Sequence, residues 1–125
     1  MKIIHTDKAP AAIGPYSQAI ANGDLVYTSG QIPIDPATGN VVTGGIEAET
    51  EQAIKNLAAV LAEAGSSLDA VIKTTCFLTN MGDFARFNAV YEKYFIGKPA
   101  RSCVAVAALP KGVSVEIEAV ALIHA

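Results

Sequence analysis

The chain has 125 residues, of which 51% are hydrophobic and 17% charged, and twelve acidic side chains against nine basic ones give a net charge of −3. This length favours one domain over residues 1–125 with a hydrophobic core of its own. The lysines and arginines are scattered along the chain, which disfavours a nucleic acid as partner, since binding a phosphate backbone requires a concentrated positive patch.

Three further features bear on location and assembly. No apolar run reaches the roughly 18 residues of a membrane span, and the N-terminus lacks the apolar segment of a signal peptide. The two cysteines lie in strand-like segments, which predicts free thiols in a reducing, cytoplasmic location. The mean hydropathy of +0.36 is high for a small monomer, so part of the apolar surface is expected to contact another subunit.

The N-terminal third predicts a short strand at 2–6, an ordered loop, and a hairpin. The tight-turn sequence NGD at 22–24 separates residues 16–21 from a strand at 25–30. A turn-rich connection follows, QIPIDPATGNVVTGG.

Two helices and three strands are predicted next. An apolar stripe including Ile54, Leu57 and Leu61 predicts a helix over 46–64. A strand over 70–79 leads to a second helix that begins near Asn80, where Asn80 and Asp83 resemble a capping box, and that ends at residue 95. Two last strands, at 100–107 and 113–123, flank a turn and are predicted to form a hairpin.

This order of elements predicts an α+β fold, a mixed sheet with two helices packed on one face. The last strand alternates, because Val115 and Ile117 point to one side while Glu116 and Glu118 point to the other. The second face of the sheet then requires cover from another subunit, so an oligomer is expected.

Motifs for a serine-hydrolase elbow, a phosphate-binding loop or a zinc protease are absent from the sequence. His5 and His124 lie at opposite ends of the chain without acidic or cysteine neighbours arranged as ligands, so no metal site is predicted.

Arg101 is the strongest candidate for chemistry. It opens a strand-like run and shares one strand face with Cys103, while the neighbouring strand of the predicted hairpin carries Glu116 and Glu118. A guanidinium matches a carboxylate ligand, and a glutamate can take a proton. A cross-strand salt bridge between Arg101 and a glutamate is the structural alternative.

Three segments, APAAIGPYSQAI, VYTSGQIP and KPARSCVAVAALPKGVSVEIEA, resemble the reactive-intermediate deaminase family, RidA, formerly called YjgF. The resemblance covers nearly the whole chain. It implies a chorismate-mutase-like homotrimer with clefts between subunits and no cofactor. It also implies hydrolysis of 2-aminoacrylate, 2-iminopropanoate and 2-iminobutanoate to keto acids and ammonia.

The resemblance carries family positions onto residues of this chain. Arg101 would hold the substrate carboxylate and Glu116 would activate water. Cys103 would form a wall of the site and contribute its backbone. The substrate-binding residues implied in this way are Tyr16, Ser29, Gly30, Asn88, Arg101 and Cys103.

Two departures from the family pattern, a short loop before Pro99 and Ala108 where a basic residue is common, bear on substrate preference. Two other functions stay open: an endoribonuclease or translation inhibitor, and a non-catalytic ligand-binding regulatory trimer. The acidic charge balance disfavours the first, and a sensor would have no need of Glu116.

Overall fold

In the computed structural model, which describes residues 1–124, a six-stranded mixed sheet carries two helices on one face. The α+β prediction is confirmed. The strands are β1 (Lys2–Ile4), β2 (Ala19–Asn22), β3 (Leu25–Thr28), β4 (Val71–Leu78), β5 (Ala100–Ala105) and β6 (Val115–Leu122). The helices are α1 (Gly45–Glu63) and α2 (Phe84–Tyr94), and short 3-10 turns span Leu68–Ala70, Met81–Asp83 and Pro110–Gly112.

The predicted tight turn joins β2 to β3. Asn22 pairs with Leu25 across it, and Gly23 takes a φ of 62°, which glycine adopts without steric cost. β1 and β3 are each two residues shorter than expected and end at Ile4 and Thr28.

Both helices lie within a few residues of their predicted positions. The stripe of α1 that includes Ile54, Leu57 and Leu61 is fully buried against the sheet. Asn80 Oδ1 accepts a hydrogen bond from the Gly82 N–H at 2.8 Å, but this cap opens the 3-10 turn before α2. The second half of the predicted capping box does not form, because the Asp83 carboxylate binds Arg86 instead.

The predicted hairpin between the last two strands is wrong. The strands follow the order β1-β2-β3-β6-β4-β5, so β6 lies between β3 and β4, antiparallel to both, and β5 lies at the edge beside β4. β6 carries the more apolar inward row, with Val115 and Ile117 fully buried, whereas most of β5 is exposed. The centre of the sheet removes more of that apolar surface from water than the edge does.

The alternation predicted for β6 is confirmed. Its inward row packs beneath α1, and Glu116 and Glu118 lie on the opposite, open face of the sheet. Apolar side chains of that open face are partly exposed, among them Tyr27 at 47% and Val104 at 45%. Within residues 1–124, neither helix has the length and apolar character that crossing a bilayer requires.

Candidate functional site

The residues predicted for the site lie in two separate clefts of one chain. The first, here the Glu116 cleft, has a volume of about 320 Å³ and is lined by Ile13, Tyr16, Ser29, Gly30, Ile32, Pro110 and Glu116. The second, the Arg101 cleft, has a volume of about 390 Å³ and is lined by Asn88, Tyr91, Glu92, Phe95, Lys98, Pro99 and Arg101.

The two clefts open on opposite faces of the sheet. Arg101 is in register with Thr74, whose side chain is fully buried beneath the helices. Glu116 is in register with Phe77 on the open face, and β4 separates its strand from β5. Neither the single site nor the cross-strand salt bridge expected from a hairpin therefore forms within one subunit.

Gly30 leaves the space that the Glu116 carboxyl group occupies. A Cβ atom at residue 30 would lie 2.5 Å from Cδ of Glu116 and closer still to Oε2. Only glycine leaves room for this carboxyl group against the end of β3. Burial, followed by the negative charge of Glu118, raises the pKa of Glu116 above its ordinary range. Such a carboxylate is a stronger base than one in water.

Ser29 holds the loop that carries Tyr16. Its hydroxyl donates to the Ser17 carbonyl oxygen at 2.6 Å, and its backbone N–H donates to the Gln18 carbonyl at 2.9 Å. The Tyr16 ring is about half exposed in the cleft, and its hydroxyl accepts a long hydrogen bond of 3.4 Å from the Ile13 N–H. Ser29 thus supports the wall of the cleft, while Tyr16 forms part of its surface.

Two buried amides that support the Glu116 cleft escaped the sequence analysis. Asn56 Nδ2 donates to the carbonyl oxygens of Ile32 and Ile34, both at 2.9 Å, and ties that segment to α1. Gln18 bonds both backbone groups of Thr6 and the carbonyl oxygen of Pro10. Only Asn56 gave a signal in the sequence, as an amide within the apolar stripe of a helix, since a buried amide requires hydrogen-bond partners.

Arg101 is held without a carboxylate. Its Nη1 donates to Oδ1 of Asn88 at 2.7 Å, and its Cζ lies 4.8 Å from the ring centroid of Tyr91 and 5.5 Å from that of Phe84. No acidic side chain within residues 1–124 comes within 4.0 Å of the guanidinium. A partly buried guanidinium without a carboxylate partner keeps donors that can bind an anion.

Cys103 shares the helix-facing side of β5 with Arg101, as predicted, and is in register with Cys76. Both thiols are free. Burial raises the pKa of Cys103 more than Arg101 lowers it, and burial raises that of Cys76 to about 12. Neutral thiols agree with Cys103 as a wall of the site and not as a nucleophile.

The backbone N–H of Cys103 faces the free edge of the sheet. The Val106 N–H donates to the Leu78 carbonyl of β4 at 2.8 Å. Because backbone groups alternate along a strand, the N–H of Cys103 lies on the free edge of β5, available to a ligand.

The two histidines do not meet. His5 contacts Asp7, and His124 contacts Ser67, each at 3.1 Å. In the described part of the chain, no three His, Cys, Asp or Glu side chains are grouped as a metal site would require.

This fold occurs in known proteins. The family described as Endoribonuclease L-PSP matches residues 6–123. The chain is 59% identical over 123 residues to a candidate regulator named AldR of Lactococcus lactis, covering 97% of each chain. It is 51% identical over 122 residues to the mouse 2-iminobutanoate/2-iminopropanoate deaminase, covering 97% of this chain and 90% of the mouse protein. The solved structure of E. coli TdcF with bound serine superposes with a TM-score of 0.94 at 44% identity, covering 99% of this chain and 100% of TdcF.

The chain belongs to the Endoribonuclease L-PSP family, which includes the RidA, or YjgF, proteins. The resemblance noted in the sequence is thereby confirmed. The names of its relatives refer to different functions, so the family alone does not assign a reaction.

Proposed function

We propose that the protein is a hydrolytic deaminase of small 2-imino and 2-enamino acids. Water adds to the imine carbon, the C–N bond of the resulting carbinolamine breaks, and a 2-keto acid and ammonia leave. The substrates are 2-iminopropanoate, its enamine form 2-aminoacrylate, and 2-iminobutanoate. The name of the mouse relative supports this assignment.

The observation that carries the proposal is the state of Arg101. An amide and aromatic faces hold its guanidinium, and its remaining N–H donors have no carboxylate partner in the described residues. The planar fork of donors matches a substrate carboxylate, and the free N–H of Cys103 lies two residues along the same strand. That TdcF was solved with bound serine, which carries a carboxylate, agrees with such a ligand.

Glu116 supplies the proton transfers. As a carboxylate with a raised pKa, it takes a proton from the attacking water; as the resulting acid, it returns that proton to the departing nitrogen. General acid–base catalysis of this kind contributes typically about 10²–10⁴-fold to a rate.

The reaction requires a second subunit. Arg101 and Glu116 lie in different clefts of one chain, so we expect the Arg101 cleft of one subunit to face the Glu116 cleft of its neighbour in a homotrimer. The partly exposed apolar side chains of the open sheet face, Tyr27, Val104 and Leu122, supply surface for that contact. The family resemblance supplies the number three.

A coupled assay tests the reaction. A dehydratase generates the imine in place, and keto acid is measured as it appears above the spontaneous rate. Arg101→Ala should weaken binding of a product such as pyruvate at least tenfold, because charge-assisted hydrogen bonds contribute about 1.5–3 kcal/mol. Arg101→Lys, which keeps the charge without the paired donors, should bind pyruvate more weakly than the parent and more tightly than Arg101→Ala. Glu116→Gln should keep product binding and lose most of kcat. Parent-level hydrolysis by a folded Arg101→Ala protein would contradict the proposal.

Mixing two inactive variants tests the shared site. Suppose that the site combines Arg101 of one subunit with Glu116 of the next. If the Arg101→Ala and Glu116→Gln proteins are unfolded, mixed in equal amounts and refolded together, about one interface in four then contains both native side chains. About a quarter of the parent activity should return. A site built within one subunit would recover none.

The family description raises endoribonuclease activity as the rival function. We expect any RNA cleavage to disappear on further purification. Cleavage that co-purifies and is abolished by Arg101→Ala or Glu116→Gln would reverse the ranking.

A further inference from the structure

One face of α2 surrounds the Arg101 guanidinium. Phe84, Phe87, Asn88 and Tyr91 follow helical spacing, and all four contact this group: the three rings lie between 4.8 and 6.0 Å from Cζ, and the amide accepts a hydrogen bond. Asn88 was predicted to bind substrate. In this arrangement, its oxygen is already occupied by Arg101.

Tyr91 is the best placed of the three rings. It is 8% exposed, gives the shortest distance to the guanidinium and also lines the Arg101 cleft. Its hydroxyl is 2.8 Å from Oγ1 of Thr74, a fully buried side chain. Thr74 is the register partner of Arg101, so the ring is anchored to the strand beside the one that carries the cation.

The ring acts on Arg101 as a neutral surface. Burial raises the pKa of the Tyr91 phenol, so the ring stays uncharged and does not neutralise the guanidinium as a carboxylate would. A cation over an aromatic face is attracted to it while its in-plane N–H donors remain free. An arginine side chain has many rotamers, and one ordered before binding loses less freedom when a ligand arrives.

We propose that Tyr91, anchored by Thr74, is a positioning residue that preorganises Arg101 for a carboxylate. This inference rests on the proposed function, because it assigns the carboxylate to Arg101. It predicts that Tyr91 acts on ligand affinity through the guanidinium, in addition to packing in the core.

Phe95 provides a matched control. Its ring stacks on Tyr91 with centroids 4.3 Å apart and is 2% exposed, and it is not among the rings within 6.0 Å of the Arg101 Cζ. Phe95 also lines the Arg101 cleft, so Tyr91→Leu and Phe95→Leu both remove one buried ring from the same stack and the same cleft. Only the first removes a ring over the guanidinium.

The experiment measures pyruvate binding by calorimetry, oligomeric state by light scattering, and KM and kcat separately. Tyr91→Leu should raise the Kd for pyruvate and the KM about tenfold, with a smaller change in kcat. Phe95→Leu, which removes a cleft ring that lies farther from the guanidinium, should raise both by clearly less than Tyr91→Leu does. Tyr91→Trp, which restores an aromatic face, should recover part of the affinity, and Tyr91→Phe, which loses only the bond to Thr74, should cost about threefold.

The outcomes separate the two proposals. If Arg101→Ala leaves pyruvate binding unchanged, the carboxylate assignment fails. If Arg101→Ala weakens binding while Tyr91→Leu and Phe95→Leu behave alike, the positioning role of Tyr91 is wrong and the assignment stands. Should Tyr91→Leu fail to fold, Tyr91→Phe and Tyr91→Trp carry the test: equal and unchanged affinity in both, with Arg101→Ala impaired, also overturns the inference.

Discussion

Replacing Gly30 by alanine is the most direct test of where Glu116 must lie. The φ of Gly30 is outside the left-handed region, so alanine adds a methyl group without backbone strain. The new Cβ would lie 2.5 Å from Cδ of Glu116, and ordinary van der Waals contact begins at 3.4 Å. The carboxyl carbon must therefore retreat by the difference, about 0.9 Å.

The size of the effect follows from that displacement. A misplacement of about 1 Å in a catalytic group can cost about 10² in rate, which corresponds to roughly 2.7 kcal/mol of transition-state stabilisation. We expect kcat of Gly30→Ala to fall about 10²-fold. Pyruvate binding should stay within about twofold, since Arg101 is in the other cleft.

The assay is keto-acid release coupled to a dehydratase, with light scattering to confirm the assembly. Gly97→Ala is the control, because a Cβ at residue 97 meets no atom within 4 Å and its φ is also outside the left-handed region. The double variant of Gly30→Ala with Glu116→Gln should be no slower than Glu116→Gln alone. A folded Gly30→Ala protein with parent kcat, or losses that simply multiply in the double variant, would refute the positioning argument.

Three further predictions concern the support, titration and assembly of the site. Asn56→Leu leaves the carbonyl oxygens of Ile32 and Ile34 without their buried donor, so the free energy of unfolding should fall by about 2–4 kcal/mol. Urea titration measures this, and an unchanged unfolding midpoint would contradict it. The raised pKa of Glu116 means that the folded state holds its proton more tightly than the unfolded chain, so stability falls as pH rises from the ordinary glutamate range through that raised pKa. Glu116→Gln should therefore be more stable than the parent at neutral pH but not in acid, and a parallel pH dependence of stability in the two proteins would contradict this. Glu118→Gln removes a negative charge that raises the pKa of Glu116, so the acid limb of its pH profile of kcat should move to lower pH; an unmoved limb would count against the assignment. Light scattering should give about three times 12.9 kDa, and a persistent monomer at micromolar concentration would remove the shared site.

Local pattern was enough for most of the elements. The 3.6-residue spacing of apolar side chains placed α1, the capping pattern at Asn80 indicated a helix close to α2, the NGD turn placed the hairpin, and the period of two in β6 assigned Glu116 and Ile117 to opposite faces. These features depend on neighbours in sequence, so they can be predicted from the sequence alone. The family motifs likewise pointed to Arg101 and Glu116 without any knowledge of the fold.

Strand order was beyond the reach of the sequence. Adjacency along the chain favoured a hairpin between β5 and β6, but β4 lies between them. The choice depends on how much apolar surface each possible arrangement buries over the whole sheet, which no local pattern contains.

The amino-acid sequence by itself thus determined most of the elements and the faces of the strands, because periodicity and turn chemistry act over a few positions. Its resemblance to a known family supplied the candidate site residues. Only the tertiary structure decided that Arg101 and Glu116 occupy separate clefts, that Asn88 and Tyr91 hold the arginine, and that Gly30 leaves room for the Glu116 carboxyl group. Each of these depends on the relative positions of residues distant in sequence, which are fixed only once the strands pair and the helices pack on the sheet.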